Sequence, residues 1–165
     1  MGSRDRKHID PPADGSWAAE GERTIRPLRE KPGVLVVDDE HLVRIMVQLG
    51  LERNGFDTWL AADGLEAIQL YRQHQDRIDV VLLDVRMAGL DGPQTLDVLR
   101  ELNPRVLACF MSGDTGTYDP EALRQRGAAH VIAKPFHLEQ LASVLRLLVN
   151  GVSADHLPSG GGCQE

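Results

Sequence analysis

The sequence predicts an α/β protein: a doubly wound, five-stranded parallel sheet flanked by five helices. Three observations carry that expectation. Short apolar runs alternate with helix-length amphipathic stretches along most of the 165 residues, the pattern of repeated strand–crossover–strand units. The runs Val34–Val37 and Val80–Leu83 are aliphatic throughout, as strands buried on both faces must be. Successive runs also end in residues of marked chemistry, namely Asp38-Asp39, Asp84, Ser112 and Lys134.

Residues 1–31 mix charge with Pro-Pro, Gly and a lone Trp17 but show no periodicity, so a flexible arm is expected there. The first strand is Val34–Val37, closed by the acid pair. Glu40–Asn54 places Leu42, Ile45, Met46 and Leu49 at helical spacing, and Asn54-Gly55 forms a C-terminal cap. Phe56–Leu60 reads as the second strand, after which Asp63 caps a helix to about His74 with Leu65, Ile68 and Leu70 among its apolar positions. The third strand is Asp79–Asp84. Gly89–Gly92 is a loop, Pro93 opens a helix to Leu102, and Asn103-Pro104 stops it. Arg105–Met111 is the fourth strand, and Asp119-Pro120 caps and opens a helix that Gly127 ends. Ala129–Ala133 is the fifth strand. The last helix, His137–Asn150, carries Leu138, Leu141, Leu145 and Leu148 on one stripe. Residues 151–165 are expected to be a flexible tail, which leaves residues 32–150 as the domain.

The net charge of −7 argues against binding nucleic acid or an anionic membrane by bulk electrostatics. No apolar stretch is long enough to span a bilayer, and the first 29 residues are too polar for a signal peptide. The expectation is a cytoplasmic protein with no direct nucleic-acid contact and no membrane insertion. Two cysteines give no disulfide framework, and Cys109 lies inside an apolar run as a small hydrophobe.

If the first and third strands are neighbours, Asp38, Asp39 and Asp84 converge at one edge of the sheet. Clustered carboxylates raise one another's pKa unless a cation lies among them. Mg2+ suits such a site, because it takes one or two carboxylates and keeps several waters. Taken singly, each residue has a plainer reading. The acid pair reads as a helix cap, Asp84 and Ser112 as turn residues, and Lys134 as a solvated charge. Independent caps have no reason to fall at four strand ends with matching chemistry. His41, His74, His130 and His137 lack metal-ligand spacing and are expected at the surface or sheet edges, and Met87 and Met111 as packing residues.

Asp38-Asp39, Asp84, Ser112 and Lys134-Pro135-Phe136, with Met87–Gly92 after the central acid, stand here in the order and spacing of a known family. Over roughly Lys31–Asn150 the chain resembles the receiver domain of two-component response regulators, single-domain type. The resemblance implies strand order 2-1-3-4-5, with the first and third strands side by side. It implies Asp84 as phosphoacceptor, Asp39 as a direct Mg2+ ligand, Asp38 acting through water, and the Arg86 backbone carbonyl as a further ligand. The Ser112 hydroxyl with the Gly113 and Arg86 backbone amides would bind phosphoryl oxygens, Lys134 would pair with another, and Pro135 would follow a cis peptide bond. The donor would be a histidine kinase or phosphotransfer protein, and the output an unidentified protein reached by contact. Such a chain is a self-phosphorylating switch with at most slow autodephosphorylation rather than a turnover enzyme. Two positions depart from the family pattern: Val131 stands where an aromatic residue is usual, and Ala88 where a proline is usual. Arg86 and Asp114, two residues beyond Asp84 and Ser112, are expected to pair as a gate over the mouth. An alternative is a non-phosphorylated receiver-like docking module. A metal-dependent phosphatase would want an acid at position 86, where Arg86 stands.

Overall fold

The acid-ended strands lie side by side because the chain folds into one parallel sheet in the order β2-β1-β3-β4-β5. The structure, a computed structural model, describes residues 31–113 and 118–152. The elements in chain order are β1 (Gly33–Val37), α1 (His41–Arg53), β2 (Asp57–Ala61), α2 (Gly64–His74), β3 (Val80–Asp84), α3 (Gly92–Leu102), β4 (Ala108–Ser112), α4 (Pro120–Gln125), β5 (His130–Ala133) and α5 (Leu138–Val149). The fold class and strand order are those expected from the sequence.

Alternate residues of each strand feed two cores. Val34, Val36, Val80, Leu82, Cys109 and Met111 pack with Val47 and Leu51 of α1 and with Leu141, Val144, Leu145 and Leu148 of α5. Leu35, Val37, Val81, Leu83 and Phe110 pack with Ala67, Ile68 and Tyr71 of α2, Leu96 and Leu99 of α3, and Leu123 of α4. Both faces of β1 and β3 are therefore dry, which is why their sequences are unbroken aliphatic runs. At roughly 25 cal/mol per Å2 of apolar surface removed from water, each large side chain in these layers contributes ~1.5–3 kcal/mol.

Helix starts follow local chemistry. Asp63 accepts from the Glu66 amide, Asp119 from the Glu121 amide, and Asp91 forms a capping box with Gln94. The acid pair does not cap α1. Its N-cap is Glu40 without a side-chain bond, and Asp38 Oδ1 accepts from the Glu40 amide at 2.9 Å in a local turn.

Two sequence expectations need correction. The stripe Leu42, Met46 and Leu49 does not face the core, for these residues are 74%, 59% and 51% exposed. α1 instead buries Val47, Gly50 and Leu51. Gly50 fixes that face, because a Cβ there would lie 2.8 Å from Leu138 of α5. β4 begins at Ala108 rather than Arg105, since Asn103 holds a turn by accepting from the Arg105 and Val106 amides at 3.0 Å each. His130 lies on the edge strand β5, within the expected surface-or-edge placement, and is buried there.

Burial lowers the His130 pKa, and the positive charge of Arg124 lowers it further. A base whose pKa falls on folding favours the folded state only while neutral, so stability is lost as pH drops from about 6.5 through the depressed value. Urea melts in mild acid and at neutral pH should show the parent losing on the order of 1 kcal/mol more than His130→Gln. Equal acid sensitivity of the two proteins would remove His130 from this role.

Candidate functional site

Sheet register aligns the reactive strand ends. Val37 is the partner of Leu83, so Asp38 continues β1 opposite Asp84. Asp84 pairs with Met111, and Ser112 with Ala133, which places Ser112 and Lys134 at the same edge. One carboxylate oxygen from each of Asp38, Asp39 and Asp84 lies within 4.8 Å of the others. Asp38 is fully buried, Asp84 is 7% exposed, and Asp39 faces solvent.

Lys134 binds this cluster together. Its Nζ donates to Asp38 Oδ2 at 2.8 Å and to Asp84 Oδ1 at 2.7 Å. The second oxygen of Asp84 accepts from the Arg86 amide at 3.1 Å. The Lys134–Pro135 peptide bond is cis, and the Lys134 amide donates to the Ser112 carbonyl at 2.7 Å, which ties the loop after β5 to β4.

Burial raises the Asp84 pKa above its ordinary value, and the negative charge of Asp38 adds to that. Lys134 and the Arg86 amide pull it back only in part. Burial opposes the Lys134 ammonium, but its hydrogen bonds to Asp38 and Asp84 overcome this and raise its pKa. Burial wins at Asp84, whereas at Lys134 the two carboxylates outweigh it. One ammonium gains from two carboxylates, whereas Asp84 shares that ammonium with Asp38. Lys134 is thus firmly charged, and Asp84 ionises at the expense of the fold.

The donor set fits a hard divalent cation. It is all oxygen, anionic, and open to water on the Asp39 side. When bound, Mg2+ would supply the positive charge that three carboxylates and one ammonium lack.

The structure brings Asp38, Asp39, Asp84, Lys134 and the Arg86 amide into one site. Ser112 stands at its edge with Oγ donating to the Gly113 carbonyl at 3.2 Å, while Gly113 is exposed. Asp114 lies outside the described residues, and with it the expected pair with Arg86. Arg44 was missed from the sequence. Its Nη1 donates to the Asp38 carbonyl at 2.6 Å, fixing the backbone from which the acid pair projects. The available signal was its position six residues after Asp38, one turn into the helix that follows the pair.

A family model described as the response regulator receiver domain matches residues 34–146. Transcriptional regulatory protein PrrA of Mycobacterium tuberculosis is 34% identical over 118 residues, covering 72% of this chain and 50% of that protein. Response regulator MprA of a Mycobacterium species is 34% identical over 125 residues, covering 76% of this chain and 54% of its own. The chain thus spans about half the length of these relatives. The solved receiver domain of Francisella response regulator 1452 superposes with a TM-score of 0.66 at 30% identity, covering 73% of this chain and 98% of that one. No helix among the described residues is long and apolar enough to cross a membrane. With the strand order, the acid-ended strands and these matches in agreement, the chain belongs to the response regulator receiver domain family of two-component systems.

Proposed function

We propose that Asp84 accepts a phosphoryl group from a phosphohistidine on a histidine kinase or phosphotransfer protein, and that the phosphorylated chain signals to an output protein by contact. The observation that carries this reading is the Lys134 ammonium set between Asp84 and Asp38, with the Asp39 carboxylate in the same cluster. A buried carboxylate is a poor nucleophile toward a charged phosphoryl group until positive charge offsets the repulsion.

In the transfer step an Asp84 carboxylate oxygen bonds to phosphorus as the bond from phosphorus to imidazole nitrogen breaks. The electron pair leaves with the imidazole. Lys134 already donates to Asp84 Oδ1, and it follows the developing charge onto a phosphoryl oxygen. The Arg86 amide, now on Asp84 Oδ2, and the Ser112 hydroxyl with the Gly113 amide supply further donors. The Arg86 amide is already aimed at Asp84, a fixed dipole of the kind that is the usual main source of such catalysis. The Ser112 hydroxyl must first leave the Gly113 carbonyl. Asp39, Asp84 and the Arg86 carbonyl would hold Mg2+ directly, with Asp38 acting through water.

Incubation with Mg2+ and a small acyl-phosphate donor should raise the intact mass by one phosphate, and chelation of the divalent cation should prevent the gain. An unchanged mass in the presence of Mg2+ would favour the docking-module alternative.

A further inference from the structure

Every polar atom of Asp38 has a partner. Its amide donates to the Ala61 carbonyl of β2 at 3.2 Å. Oδ1 accepts from the Glu40 amide at 2.9 Å, and Oδ2 accepts from Lys134 at 2.8 Å. The Asp38 carbonyl lies past the last register pairs of β1, which join Val37 to Ala61 and Leu83. Asp38 is fully buried, so that carbonyl would be a costly orphan. Arg44 Nη1 fills the place at 2.6 Å.

These bonds close around Asp39. Arg44 also donates its amide to the Glu40 carbonyl at 3.1 Å. One residue therefore holds both neighbours of Asp39, Asp38 by its side chain and Glu40 by its backbone. α1 has no side-chain cap at Glu40 and no acid in its first turn, so the bonds among Asp38, Glu40 and Arg44 fasten its start to β1. Asp39 faces solvent, yet one of its oxygens lies within 4.8 Å of oxygens of Asp38 and Asp84. An exposed carboxylate on a loose backbone spreads over many orientations. Keeping this one beside the others falls to its two neighbours, and through them to Arg44.

We propose that Arg44 is a positioning residue for the divalent cation: it orders Asp39 as a ligand and thereby sets both the affinity of the site and its preference for Mg2+ over Ca2+. The inference rests on the reading of the acid cluster as a cation site. Neither side-chain bond of Arg44 goes to a carboxylate, for the second reaches the His41 ring at 3.4 Å. Its action on the cation therefore runs through the backbone. Charge would act in the opposite sense, because removing a cationic side chain near a cation site tightens cation binding. Mg2+ demands near-ideal octahedral geometry, whereas Ca2+ accepts a flexible shell. Loosening Asp39 therefore penalises Mg2+ more.

Arg44→Met keeps the half-buried stem and removes the donor, whereas Arg44→Lys keeps the charge and a donor at shorter reach. Mg2+ and Ca2+ are titrated separately into the parent and both variants by calorimetry, at a temperature where melts show each protein folded. In Arg44→Met the Mg2+ dissociation constant should rise about 10-fold, the low end for losing a residue that orients a metal ligand. The Ca2+ constant should rise less, and Arg44→Lys should fall between the other two proteins for Mg2+. Unchanged or tighter Mg2+ binding in Arg44→Met overturns the inference, and so does an equal loss for both ions. If Arg44→Met does not fold, parental Mg2+ affinity in Arg44→Lys overturns it. A parent that binds neither ion removes the cation site itself, and the inference with it.

Discussion

Truncating Lys134 to alanine is expected to remove about 3 kcal/mol of stability at neutral pH and to abolish phosphoryl acceptance. The Lys134 ammonium is the shared partner of Asp38 and Asp84, and Asp38 is fully buried. Without it two buried carboxylates face each other. The sign with pH follows from Asp84. Its pKa is already raised above 3.8, and loss of Lys134 raises it further, so in mild acid it protonates and no longer needs a cation. The destabilisation should therefore shrink as pH falls. Urea melts at neutral pH and in mild acid check the direction, and intact mass after donor treatment checks acceptance. A Lys134→Ala protein as stable as the parent at neutral pH, or still labelled, would mean that the ammonium is incidental.

Replacing Gly92 by alanine should be nearly as damaging, through packing rather than charge. The added methyl would meet the Asp84 carbonyl oxygen at 2.3 Å and the Phe110 ring at 2.9 Å. Neither is the free end of a flexible side chain, so either α3 or the end of β3 must move. Forced overpacking of this kind costs ~1–3 kcal/mol. Because the displaced backbone belongs to Asp84, the rate of phosphoryl acceptance should fall more steeply than stability. Thermal melts and labelling rates measured on Gly92→Ala separate the two. A variant that loses stability but labels at the parental rate would show that α3 does not position Asp84.

The chemistry of the site was legible because it is local in sequence. An aliphatic run closed by an acid can be read without knowing its neighbours, as Val34–Val37 with Asp38-Asp39 and Val80–Leu83 with Asp84 demonstrate. Their adjacency was not legible from pattern alone. It came with the resemblance, and the register of Val37 against Leu83 bears it out. The inward face of α1 was misread because that helix carries two apolar stripes. Periodicity cannot choose between them, whereas the close approach of Leu138 to Gly50 does. His130 has no local signal of burial; its place follows from the parallel pairing with Cys109. Tyr118 on Asp91 is a contact made by the fold, and nothing in the spacing of those residues announces it. The Arg44 bond to the Asp38 carbonyl had only its spacing from the pair as a signal.

The central claim is that Asp84 carries the phosphoryl group, and chemical trapping tests it most directly. After labelling with Mg2+ and a small acyl phosphate, hydride reduction converts an aspartyl phosphate to the alcohol with release of phosphate. Peptide mass spectrometry then locates the reduced residue. The expected result is reduction at position 84 alone, with none in Asp84→Asn treated in the same way. Reduction at Asp38 or Asp39, or a labelled protein with no reduced aspartate, would contradict the account.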